Sequence, residues 1–161
     1  MSAAAEDILI DENRDKYLLF SLGDDLFATP LLTIREVIEP QSIKELPNTV
    51  DNFQGVINLR GEIVGVLDLR LRFKREAVQH STNAFVVFET EIGPISGIVD
   101  KIESVINLPP AEIEENPNVS TSVPREYLLG VGKFKESLIT LIDLAKVLSV
   151  EEIKSIRKLT R

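Results

Sequence analysis

Apolar residues in this chain fall in short runs separated by clusters of Gly, Asp, Glu and Pro, which predicts strands and tight turns rather than long helices. Residues 17–22 and 26–31 flank Gly23-Asp24-Asp25 and read as a hairpin, and residues 34–39 continue the sheet. Pro40 and Pro47 bracket a loop, after which residues 55–59 and 63–67 form a second hairpin turning at Arg60-Gly61-Glu62. Residues 74–83 are polar, lack any period and read as a connector. A second set of strands starts at Ala84-Phe85-Val86-Val87-Phe88, turns at residues 91–93 and runs through residues 97–102. Residues 109–126 carry Pro109, Pro110, Pro117 and Pro124 and read as an irregular loop, of a length usually functional or mobile.

The two sets are related. Residues 55–69, from Gly55-Val56 to Asp68-Leu69, return as residues 130–144, from Gly130-Val131 to Asp143-Leu144, at an offset of 75. Upstream, Phe20, Ile34, Val37 and Ile38 match Phe88, Ile102, Val105 and Ile106 at an offset of 68, and Leu46-Pro47 answers Leu108-Pro109. Recurrence of this kind marks a duplicated structural unit. The drift in offset places insertions in loops and keeps the order of the strands.

Asp68 and Asp143 each follow an apolar strand and precede a short helical pattern, the signature of an N-cap. Ser149-Val150-Glu151-Glu152 has capping-box form and opens a stripe of Val150, Ile153, Ile156 and Leu159, predicting a terminal amphipathic helix over residues 150–161. Two five-stranded units of this size suit small barrels packed side by side better than sandwiches. The expected organisation is all-β: an acidic tail over residues 1–16 whose Ile8-Leu9-Ile10 docks weakly, a first barrel over about 17–73, the connector, a second barrel over about 84–149, and the helix.

Composition narrows the function. In 161 residues, 43% are hydrophobic, enough for a core, yet only 6% are aromatic and none is Trp, so the core is chiefly Ile, Leu and Val. The absence of Cys excludes disulfides and thiolate metal sites and fits a reducing compartment. There is no signal-peptide pattern and no apolar stretch long enough to span a bilayer, so a cytoplasmic location is expected. A net charge of −8 argues against nucleic acid or anionic lipid as partner.

Catalytic chemistry finds little support. The single His, His80, sits in the connector, and no cofactor or metal motif is present. Asp68 and Asp143 are conceivable as the acid/base pair of a hydrolase, but capping explains each. Arg70, Arg72, Lys74 and Arg75 form a basic cluster that reads as the solvated face of a helix. Arg60 stands apart, because a guanidinium at a hairpin turn is well presented to a partner carboxylate or carbonyl.

The run Gly55-Val56-Ile57-Asn58-Leu59-Arg60-Gly61-Glu62-Ile63-Val64-Gly65-Val66-Leu67-Asp68-Leu69-Arg70 closely resembles the signature of the CheW family of chemotaxis coupling proteins. Residues 20–28, 34–39 and 97–102, Gly130-Val131 and residues 141–144 follow in the family's order and rough spacing, so the resemblance covers residues 17 to about 149. It implies two SH3-like barrels around a shared core and a non-enzymatic adaptor joining the cytoplasmic tip of methyl-accepting chemoreceptors to the regulatory domain of the histidine kinase CheA, at membrane-associated arrays. By the same resemblance, Glu36, Val37, Asn58 and Arg60 match receptor-coupling positions, Ile34 and Gly55 match positions of receptor or kinase contact, and Val99 lines the groove from the second barrel. Gly65 stands where the family often has Pro, a change expected to loosen the strand. The second repeat has Lys135-Glu136 in place of the Arg-Gly turn, which confines the Arg anchor to the first barrel. The remaining alternatives are an adaptor of a related non-motility array and, from a different class, the Asp-dependent hydrolase.

Overall fold

A computed structural model describes residues 4–5, 12–46, 50–115 and 123–160. Ile8-Leu9-Ile10 and most of the expected tail, with Pro47 and Pro117, lie outside the described residues. Among the described residues eleven strands run in chain order: β1 (Lys16–Leu22), β2 (Asp25–Pro30), β3 (Ile34–Ile38), β4 (Phe53–Leu59), β5 (Glu62–Asp68), β6 (Ala84–Thr90), β7 (Gly93–Val99), β8 (Lys101–Asn107), β9 (Ile113–Glu114), β10 (Leu128–Phe134) and β11 (Ser137–Ile142). Helix α1 (Leu69–Arg72) follows β5, a 3-10 turn (Leu144–Lys146) follows β11, and α2 (Val150–Thr160) ends the chain. The hairpins expected at Gly23, Arg60-Gly61 and Glu91 are all present, whereas the run 97–102 breaks at Asp100 between β7 and β8.

The strands form two sheets, ordered β8-β1-β2-β11-β10-β9 and β3-β6-β7-β5-β4. Neither sheet respects the connector. Hairpin β1–β2 of the first repeat lies in the sheet of β8, β10 and β11, and hairpin β6–β7 of the second lies with β3, β4 and β5. The division into barrels over 17–73 and 84–149 is therefore corrected: the repeats have exchanged their first hairpins. The pairing is reciprocal residue by residue, since Phe20 pairs with Ile102 while its counterpart Phe88 pairs with Ile34. Likewise Ile139 to Leu141 run parallel to Leu26 to Ala28, as Gly65 to Leu67 do to Ile95 to Gly97.

Each sheet rolls into an SH3-like barrel. In the β3–β7 barrel, Lys44 pairs with Val56 of edge strand β4, and in the other barrel β9 pairs with β10 through Glu114 and Val131. These bridges correct one repeat match: Ile43-Lys44 and Ile113-Glu114 correspond, at an offset of 70, whereas Leu46 packs on the shared core and Leu108 lies inside a barrel. Alternate residues serve different cores. In β6, Phe85 and Val87 fill their barrel with Ile57, Val64 and Ile98, while Val86 and Phe88 face a core shared by both barrels. In β1, Leu19 is in its barrel, and Leu18, Phe20 and Leu22 are in the shared core. Burial on both faces is why these strands read as unbroken apolar runs.

The caps are present, with Asp68 accepting from Arg70 N at 3.0 Å and Asp143 from Ala145 N at 3.1 Å. The basic cluster is not a solvated face. Arg70 is buried and donates through its side chain to Asp68 at 3.0 and 3.1 Å, to Asp100 at 3.3 Å and to Val78 O at 2.7 Å. Asp100 in turn accepts from Gly23 N at 2.6 Å, tying the β7–β8 corner to the exchanged β1–β2 turn. Arg72 pairs with Glu152 of α2, and Arg75 with Asp25.

Asp68 thus both caps α1 and neutralises a buried guanidinium, which its repeat partner Asp143 does not. Asp68→Ala is expected to cost about 3–5 kcal/mol in urea unfolding, against about 1 kcal/mol for Asp143→Ala; equal losses would reduce Asp68 to a cap.

Candidate functional site

An exposed polar cluster lies where the β4–β5 turn meets β3. Arg60 and Gly61 form a two-residue turn with φ of 52° and 86°, the left-handed pair that matches hairpin twist. Asn58 secures it, its Oδ1 accepting from Gly61 N at 2.8 Å. The turn aims Arg60 at Glu36, and the two side chains form an ion pair. Because β3 and β4 are opposite edges of the sheet order, this pair joins strands that only a rolled sheet brings together. The hydrogen bond from Arg60 is the main reason the Glu36 carboxyl lies below its ordinary range, and the same bond raises the guanidinium. Arg35 sits beside them, 3.0 Å from Glu62 and 3.6 Å from Glu89.

These pairs are open to solvent, with 65% of the Arg60 side chain exposed, so they add little to stability. They fix charges beside apolar surface. Val37, next to Glu36, is 42% exposed, and Ile34 is half-buried against the shared core. The second repeat supplies counterparts: Val105 is 51% exposed and Ile102 packs, half-buried, on the same core. Val37 pairs with Val86 and Val105 with Leu18, both shared-core residues, so the two valines mark related borders of that core. Val105 was already visible as the 68-residue echo of Val37; the echo alone does not reveal its exposure.

Two expected site residues are internal. Val99 is fully buried in the shared core and offers no surface, which corrects its placement as a groove lining. Gly55 is buried too, with φ of 141°, and a Cβ there would lie 2.1 Å from Lys44 O, so its smallness admits the bridge that closes the barrel. Gly130 repeats this with φ of 150° and a Cβ position 2.6 Å from Glu114 O. At Gly65 the Phe53 ring occupies the space a side chain would need, 2.8 Å from the Cβ position. In the other barrel, Ser104 and Lys135 stand where Glu36 and Arg60 would be, and a cleft of about 370 Å³ opens there over Leu19, Leu26 and Phe134.

The carboxylates conceived as an acid/base pair are engaged in their own caps at the ends of strands in different sheets, Asp68 with Arg70 as well. Among the described residues no three His, Cys, Asp or Glu side chains group to hold a metal, and no helix is long and apolar enough to cross a membrane.

A family model described as a CheW-like domain matches residues 16–152. The chain is 33% identical over 138 residues to the chemotaxis protein CheW of Klebsiella aerogenes, covering 85% of this chain and 83% of that one. It is 26% identical over 155 residues to the CheW of Treponema pallidum, covering 93% and 91%. A crystal structure of the scaffolding protein TtCheW from Thermoanaerobacter tengcongensis superposes with a TM-score of 0.78 at 29% identity, over 86% of this chain and 90% of that one.

Gly55→Ala is expected to lower the unfolding free energy by roughly 2–4 kcal/mol, through the clash and a φ that L-residues avoid. Gly61→Ala, with nothing within 4 Å of its Cβ position, should cost only about 1 kcal/mol. Chemical denaturation compares them, and equal small losses would contradict the closure role.

Proposed function

The chain belongs to the CheW family, and from that premise we propose that it is a non-enzymatic scaffold of chemotaxis signalling that binds the cytoplasmic tip of a methyl-accepting chemoreceptor and the regulatory domain of the histidine kinase CheA at the same time. The observation that carries the reading is the exposed Arg60–Glu36 pair beside exposed Val37, at the border of a core that surfaces again at Val105. An apolar border with a few fixed polar anchors suits the face of a partner helix, which is what a receptor's helical hairpin presents.

In this reading Glu36, Val37, Arg60 and Val105 contact the receptor, and Ile34 supports them from the core. Asn58 acts through Arg60, because its side chain holds the turn that aims the guanidinium. The kinase domain, of related fold, meets an outer barrel end. Holding both partners at once turns modest individual affinities into a firm assembly and recruits the protein to membrane-associated arrays.

Calorimetric titration tests this with the full chain, a receptor-tip fragment and the CheA regulatory domain. Both are expected to bind, with Arg60→Ala weakening the receptor step about 5- to 150-fold, or about 1–3 kcal/mol, and leaving the kinase step unchanged. Unchanged receptor affinity in folded Arg60→Ala protein would remove Arg60 from the site, and failure of either partner to bind would overturn the adaptor reading.

A further inference from the structure

The C-terminal helix is the element that the adaptor reading leaves without a task. Of its side chains, Ile153 and Ile156 are buried in the shared core, while Val150, Glu151, Lys154, Ser155, Arg157 and Lys158 face solvent, Val150 at 66% exposure. The expected apolar stripe is therefore narrower than the sequence suggests, and the Leu159 side chain lies outside the described residues. A helix of 11 residues is marginal in water on its own. For α2, leaving the core and losing helical structure are one event.

Its first turn is held by a joint centred on one carboxylate. Ser149 and Glu152 form a reciprocal capping box, Glu152 N donating to Ser149 Oγ at 3.1 Å and Ser149 N to Glu152 Oε1 at 2.9 Å. The same carboxylate receives both terminal nitrogens of Arg72, at 2.5 and 2.6 Å. Burial alone would raise the Glu152 carboxyl, but the hydrogen bonds from Arg72 and Ser149 outweigh it and hold the group below its ordinary range. The joint therefore stays charged at neutral pH.

Arg72 also donates to Val147 O at 3.1 Å, and Val147 is the repeat counterpart of Arg72 itself, 75 residues on. Beside this joint lies a cleft of about 430 Å³ whose lining includes Asp51 with Glu126, Asn52 with Tyr127, and Arg72 with Val147. Each of those pairs is related by the same 75-residue offset, so the cleft lies on the internal pseudo-twofold axis, at the seam between the barrels. Tyr127 ends a column of rings, Phe20, Phe27 and Phe73, spaced 6.2, 5.5 and 5.7 Å, that runs through the shared core to this seam.

We propose that α2 is a detachable strap at the seam, latched by the Arg72–Glu152 pair, and that it opens as a unit, widening the on-axis cleft that its N-cap Ser149 borders while both barrels stay folded. Three features separate it from the barrels: it belongs to neither sheet, and among its described side chains two isoleucines enter the core and the ion pair to the barrels runs through Glu152. The device acts at a surface distinct from the Arg60–Glu36 border, so it does not depend on which partner that border takes.

Hydrogen exchange on the full chain tests the strap directly. In the wild type, amides of α2 are expected to exchange faster than those of β6 and β7, and Arg72→Ala is expected to speed α2 exchange tenfold or more while leaving β6 and β7 unchanged. Glu152→Gln, which keeps side-chain length and an acceptor for the cap, is the second variant should Arg72→Ala fail to fold, and the same selective acceleration is expected of it. Exchange of α2 only at the rate of the strands, or equal acceleration of helix and strands in the folded variant, would overturn the proposal.

Discussion

The structure depends on the exchange of hairpins between its two repeats. Phe20 of the first repeat pairs with Ile102 of the second, and Ile34 of the first with Phe88 of the second, so neither barrel can be assembled from one half of the chain. Once β1–β2 and β6–β7 have crossed over, the strands near the crossover have apolar neighbours on both sides. One face fills a barrel and the other joins the shared core, which holds Leu18, Phe20, Val86, Phe88 and Val99. The buried Arg70 network works at the same crossing, linking α1, the β7–β8 corner through Asp100 and the β1–β2 turn at Gly23.

Against this common frame, the repeats agree where the backbone is constrained and differ where side chains meet solvent. Gly55 and Gly130 both admit a bridging carbonyl, and Asp68 and Asp143 both cap a helical turn. At the barrel mouths they part: Glu36 and Arg60 close one with an ion pair, whereas Ser104 and Lys135 leave the other open. The scaffold is duplicated, whereas the Arg60–Glu36 ion pair is not. That division between shared architecture and local chemistry suits a coupling protein, which must offer different partners different surfaces.

Much of this was legible in the residues. Hairpin turns, both Asp caps, the capping box and the duplication follow from local chemistry and from recurrence along the chain, and the structure has them all. Sheet membership did not follow, because alternation reports which face a residue occupies and not which strand lies beside it. The same limit applies to Val99: an apolar residue in a strand reads alike whether it lines a groove or fills a core, and the structure buries Val99 and exposes Val105. Arg70 and Arg72 read as solvated because charge in a short helix usually is, and tertiary partners such as Asp100 and Glu152 explain why Arg70 is buried and Arg72 half-buried. Local identity aligns Leu46 with Leu108, while the bridging backbone aligns Ile43-Lys44 with Ile113-Glu114.

If exchanged hairpins and a shared core make the two barrels one body, they cannot melt separately. Differential scanning calorimetry of the full chain is then expected to show one transition whose calorimetric and van't Hoff enthalpies agree. Two resolved transitions, or a van't Hoff enthalpy well below the calorimetric one, would mean that each barrel holds itself together and would contradict the account.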